Sequence, residues 1–173
     1  MDTYNHQSNE YFANKGAILI GQEKLKYRPV HRGILFKDKL TLPFGNETVS
    51  VYSSGAHSFG NRNVYLSQAN IVFMADSYRN DWMTVTGPYG LEGYFKGLDS
   101  ALALSNKDTK FVSGNSFDGS LSSWADIEKE KRFRTELLLE IKRLHEKGVS
   151  AKEMANDPEV LAMVRSQYPH RNF

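Results

Sequence analysis

The densest run of binding-competent side chains lies early. Lys24-Leu25-Lys26-Tyr27-Arg28-Pro29-Val30-His31-Arg32 repeats its cations at a period close to two. On a strand, Lys24, Lys26 and Arg28 share one side and show water a single row of positive charge. Such a row neutralises backbone phosphates, with Arg32 closing the stretch, and Tyr27 and His31 supply rings on which bases can stack. The same row also suits an edge strand, where lysine and arginine deter pairing with another chain. Both readings stay open on residues alone.

A second set sits near the other end. A long helix, Gly148, Ser150, Met154-Ala155 and Val160 together resemble a helix-turn-helix, in which two short helices cross at a small residue. Ala155 and Met154 fit that pattern. Pro158 and Glu159 depart from it, and Arg165 falls where a buried residue is expected. Lys152 would then join the phosphate contacts, and Arg165 would reach base edges. The stronger alternative is a helical appendage that packs on the sheet or on a partner.

His57 lies among Ser53, Ser54 and Ser58, which suggests a nucleophile with its base. That chemistry needs an orienting carboxylate as well. None lies near in sequence, and no G-x-S-x-G elbow is present. A glycine-rich loop explains the residues better. Asp76 and Asp81 flank Tyr78-Arg79-Asn80, and paired acids can hold a metal, but Asp and Asn also make turns. His6, His31, His145 and His170 show no ligand spacing. No metal site and no cofactor is therefore predicted.

Composition narrows the classes. The chain of 173 residues carries 22 basic and 20 acidic side chains, a formal charge of +2, and a mean hydropathy of −0.52. That balance is no global footprint for nucleic acid. Positive charge is concentrated in residues 15–39, with seven basic side chains against two acidic. No apolar run approaches the roughly 18 residues of a membrane span, and Ala17–Ile20 is too short for a signal-peptide core. The absence of cysteine excludes disulfides and thiolate chemistry. It fits a reducing compartment, so the cytoplasm is the default location.

The elements that must position these groups are mostly strands. Residues 1–14 read as a flexible arm, and residues 15–113 as a β-rich domain. Gly16–Gly21 and Gly33–Phe36 are short apolar runs. Leu40-Thr41-Leu42 and Thr48–Ser53 form a hairpin around Gly45-Asn46-Glu47, with Pro43 at an edge. Val64–Leu66, Ile71–Ala75, Trp82–Thr86, Gly93–Gly97 and Lys110–Ser113 are further strand candidates. Leu98–Leu104 reads as a short helix capped by Asp99. Residues 114–122 are linker by composition, and residues 123–173 a helical tail. In the tail, Ser123 with Asp126 begins a long helix that Gly148 ends. Ser150 with Glu153 forms a capping box, and Asp157-Pro158 opens a last helix that Pro169 stops.

The predicted fold is α+β: an antiparallel sandwich or open barrel followed by a three-helix tail. The leading functional reading is a non-enzymatic regulatory or accessory protein, of a size and composition that would suit a virus, contacting nucleic acid or the machinery that acts on it. The alternative is a protein-interaction or assembly module whose helix 123–147 docks through Trp124, Ile127, Leu137, Ile141 and Leu144. A small hydrolase is third, and the residues argue against an enzyme more than for one.

Overall fold

The computed structural model describes residues 9–23, 33–116 and 119–171. The basic residues Lys24, Lys26, Arg28 and Arg32 lie outside that set, as do Tyr27 and His31. Of the N-terminal arm, Asn9–Asn14 form a short helix, α1.

The architecture is α+β with a mostly antiparallel sheet and a helical C-terminal part. Strands β1 (Leu19–Gln22) and β2 (Gly33–Phe36) make a separate parallel pair. The main sheet has six strands in sequential order. These are β3 (Lys39–Phe44), β4 (Glu47–Ser53), β5 (Arg62–Leu66), β6 (Ile71–Phe73), β7 (Lys110–Val112) and β8 (Ser122–Ser123). It is open and does not close into a barrel.

The β3–β4 hairpin is the one written in the sequence. Phe44 faces Glu47 across a two-residue turn, and Gly45 adopts φ +63°, a conformation that favours glycine at the first turn position. β6 and β7 pair in parallel, so the chain must cross over between them. Helix α2 (Gly90–Ala103) makes that crossing.

Here the structure departs from the local pattern. Gly93–Gly97, read from sequence as a strand, lies inside α2. The cause is close packing: a Cβ at Gly93 would sit 2.4 Å from the Gly55 carbonyl oxygen, and one at Gly97 would sit 3.2 Å from that of Ser54. Gly93, Gly97 and Ala101 form a smooth face that lets the helix lie directly on the β4–β5 loop. Tertiary contact overrides the poor helix propensity of glycine. Trp82–Thr86 is likewise irregular rather than a strand.

The core lies between one sheet face and two helices. Val72 and Phe111 pack with Tyr94, Leu98 and Ala101 of α2 and Ile127 of α3 (Trp124–Glu146), all fully buried. A second cluster joins Phe133, Leu137 and Leu144 to Met154, Val160, Val164 and Tyr168. The last three belong to or adjoin α5 (Pro158–Gln167). Both capping boxes form as the sequence implies, at Ser123/Asp126 and at Ser150/Glu153, and Pro158 opens α5 behind the Asp157 cap.

Candidate metal centre

Strand register brings four chain ends together. Ser53 pairs with Arg62, Val64 with Phe73, and Phe73 with Val112. The exits of β4, β6 and β7 and the entry to β5 therefore share one end of the sheet. Three loops meet there, each carrying one group able to bind or react: His57, Asp76 and Asn115.

Close backbone contact fixes their spacing. His57 takes φ +56° and Ala75, next to Asp76, takes φ +45°, both uncommon for residues with a Cβ. Gly87 backs the His57 loop so tightly that a Cβ there would lie 2.1 Å from the His57 carbonyl oxygen. The His57 amide donates to the Thr86 carbonyl at 3.2 Å. Gly114 donates its amide to the Ala75 carbonyl at 2.8 Å, and a Cβ on it would meet the Ala75 carbonyl carbon at 2.6 Å. That approach delivers Asn115 to Asp76.

His57 Nε2 stands 3.9 Å from Asp76 Oδ2, with no hydrogen bond at that distance. The Asn115 side-chain amide donates to Asp76 Oδ1. His57 Nδ1 is buried and has no hydrogen-bond partner. The Asp76 main chain is held on both sides: its amide donates to Asn61 Oδ1 at 3.2 Å, and its carbonyl accepts from the Thr84 hydroxyl at 2.7 Å.

A buried polar network underlies the site. Asn61 Nδ2 donates to the Ser54 hydroxyl at 2.9 Å and also to the Ser77 hydroxyl. Ser77 donates to Asn63 Oδ1 at 3.3 Å, and Asn63 donates to the Gly97 carbonyl of α2 at 3.0 Å. Satisfied networks of this kind in a low-dielectric interior rigidify what they support.

The groups chosen from sequence fall differently. Ser54 is buried and engaged by Asn61 and the Ala56 amide, so it is a support for the loop and not a nucleophile for His57. Asp81 does not join Asp76. Burial alone would raise its pKa, but the Arg79 and Arg171 guanidinium groups beside it outweigh that and hold the carboxyl below its usual value. Lys152 is exposed on α4 (Ala151–Met154), and Arg165 is exposed on α5. Helix α4 is a single turn and Ala155 is exposed, which departs from the buried small residue at which a helix-turn-helix crosses. Ile127, Leu137 and Leu144 are buried inside this chain, Trp124 is partly buried against its core, and Ile141 is exposed at the rim. The sequence singled out His57 and Asp76 separately. It gave no sign of Asn115, because the signal is a meeting of loops.

The donor set fits one divalent cation in an open site. An imidazole and a carboxylate from different loops face each other without bonding. A carboxamide can turn its oxygen toward the same point by a half-turn of its amide. Mixed nitrogen and oxygen donors of this kind suit zinc or manganese.

No family model matches the sequence, and no curated relative matches it. The fold, however, is shared with solved structures. An archaeal metallo-β-lactamase superfamily protein from Sulfolobus tokodaii superposes with TM-score 0.53 at 14% identity, covering 72% of this chain and 60% of that one. A metallo-β-lactamase from Pontibacter korlensis gives TM-score 0.53 at 18% identity, covering 69% and 58%. A metallo-β-lactamase family protein from Thermus thermophilus gives 0.53 at 17%, covering 83% and 49%. The chain thus spans about half to three-fifths of the length of these structures. This finding overturns the non-enzymatic regulatory or viral accessory reading built on nucleic-acid contact. The chain shares the fold of these metallo-β-lactamase superfamily proteins.

Proposed function

We propose that this chain is a hydrolase domain that holds one divalent cation with His57, Asp76 and the Asn115 carboxamide. One observation carries the reading: two chemically suited ligands, from the loops after β4 and β6, stand 3.9 Å apart at one end of a fold shared with metallo-β-lactamase superfamily proteins. A bound divalent cation would lower the pKa of water toward about 7 and polarise the bond to be cleaved. The chain's own residues do the positioning. Asn61 and Thr84 fix the Asp76 backbone so the carboxylate stays in place. With one carboxylate, one imidazole and one neutral amide, affinity should fall below that of sites with three charged or imidazole ligands. The cytoplasm remains the proposed setting.

Isothermal titration with zinc and with manganese tests the binding. The wild type should bind one ion. Asp76→Asn and His57→Ala should each lose more than the roughly tenfold that outer hydrogen-bond partners are worth. Equal binding by all three proteins overturns the assignment. A cation-loaded wild type that cleaves no member of an ester, thioester, lactam and phosphodiester panel overturns the hydrolytic half.

A second reading, an assembly module, is favoured by the other sheet face. Leu40, Val51, Val64, Phe73 and Val112 align across five strands on the side opposite α2 and α3. Phe73 is 40% exposed there, Leu40, Val64 and Val112 are half-buried and Val51 is buried. A docking surface would then be this face, since Ile127, Leu137 and Leu144 of α3 are already buried.

A further inference from the structure

Arg62 opens β5 on the sheet face that carries Val64 and Leu66. Its Nη1 donates to the Asn61 carbonyl at 2.6 Å and to the Phe59 carbonyl at 3.3 Å. Its Nε and Nη2 are buried and meet no acceptor. Among the described residues, Arg79 and Arg171 pair with Asp81, Arg143 with Glu140 and Glu159, and Arg134 with Glu130, although Arg134 Nη2 is itself buried without a partner. Among the described ion pairs Arg62 has none.

Arg62 is half-buried, but two buried N–H groups of a cation without an acceptor are costly and call for an explanation, of which a bound ion is one. The position of the two orphan nitrogens says what that is. Nε and Nη2 share one edge of the guanidinium plane, and their N–H bonds run nearly parallel. That edge matches the two oxygens of a carboxylate or phosphate, the bidentate pairing for which arginine is suited and lysine is not. The Phe36 ring lies 5.3 Å from the guanidinium carbon. It covers the flat face, where it contributes a cation–π contact but no in-plane acceptor. Burial depresses the Arg62 pKa to about 10, which leaves the group charged at neutral pH and in need of a counter-charge.

We propose that the Nε–Nη2 edge of Arg62 is a receptor for one oxyanion, a carboxylate or phosphate group carried by a small ligand. The site adjoins the His57 loop through a single residue. The Asn61 main-chain carbonyl accepts from Arg62, while its side-chain oxygen accepts from the Asp76 amide. An anionic ligand clamped at Arg62 is therefore anchored by the same residue that fixes Asp76. The proposal stands on Arg62 and holds whether or not the cation reading does.

The test is a titration of the full chain with sodium acetate and with inorganic phosphate, and with chloride at matched ionic strength. The readout is the Arg62 Nε–H resonance in nitrogen-15 spectra. The expected result is a saturable shift with acetate or phosphate and none with chloride, and the tighter of the two identifies the ligand group. Arg62→Lys keeps the charge but loses the edge, and its affinity, read in both proteins from the Asn61 and Asn63 backbone amide resonances, should fall at least tenfold. A wild type with no saturable shift, its edge holding water only, overturns the proposal whether or not the variant folds. So does a folded Arg62→Lys that binds as well as the wild type. These titrations contain no zinc, and the zinc titrations contain no oxyanion, so the two readings fail separately.

Discussion

The Tyr168 hydroxyl, at the end of α5, lies 3.2 and 3.0 Å from the two carboxylate oxygens of Glu130 in the middle of α3. Glu130 also accepts from Tyr94 of α2 at 2.8 Å, from Arg134 at 2.8 Å and from Gln167 at 3.0 Å. One fully buried carboxylate thus joins three helices. Burial first, and the adjoining Glu130 charge second, push the Tyr94 and Tyr168 hydroxyls well above the usual tyrosine range, so both remain donors at every physiological pH.

Removing Glu130 should therefore unseat the whole helical part. Glu130→Ala leaves the Arg134 guanidinium buried and unpaired, a loss of about 3–5 kcal/mol. Tyr168→Phe removes one donor and should lose only about 1–2 kcal/mol. Urea denaturation of the two variants checks the ranking, and a Glu130→Ala protein as stable as Tyr168→Phe would contradict it.

Gly114 is the residue that lets Asn115 reach Asp76. Gly114→Ala drives a Cβ into Ala75 and should destabilise by more than about 1 kcal/mol. It should also release the Asn115 side-chain amide, seen as a shift of its NH2 resonances toward solvent-exposed values. Gly21→Ala is the control. Its added carbon meets only Leu35 Cδ2 at 3.5 Å, so the change should stay within about 0.5 kcal/mol.

Asn61→Ala should weaken zinc binding although Asn61 touches no ion. It strips the acceptor from the Asp76 amide and leaves Ser54 and Ser77 short of a partner, at a stability loss of about 1–3 kcal/mol. Calorimetric titration of a folded variant gives the answer. Unaltered affinity would show that the network supports the fold and not the ligands.

Acid stability should report on Glu47. Its carboxylate accepts from the Gln68 amide at 2.8 Å, the Ala69 amide at 3.0 Å, the Thr48 amide at 2.7 Å and the Ser67 hydroxyl at 3.0 Å. Those bonds, the Gln68 amide foremost, outweigh partial desolvation and bring its pKa from 4.5 down to about 2. A depressed folded-state pKa stabilises above the unfolded value and is lost as pH falls through the folded one. Glu47→Gln should differ most from the wild type near neutral pH, with the gap closing between about pH 5 and pH 2. Melting curves that stay parallel over that window would refute it.

Much of the local structure could be read from the chain. The hairpin at Gly45-Asn46, the caps at Ser123, Ser150 and Asp157, and the end of α3 at Gly148 follow from contacts a few residues apart. So does the α+β class, because strand and helix periods are properties of neighbouring residues. Gly93–Gly97 could not be read, since its helical state rests on the contact with Gly55.

The site belongs wholly to the tertiary structure. His57 looked like part of a loose loop and Asp76 like part of a turn, and Asn115 had no distinguishing neighbour at all. They meet because β4, β5, β6 and β7 align their ends, and because β6 and β7 pair in parallel across an intervening helix. Short-range preferences decide where a strand begins and stops. Which loops then share one end of a sheet is set by strand order and register, which arise only when distant segments bury their apolar faces together.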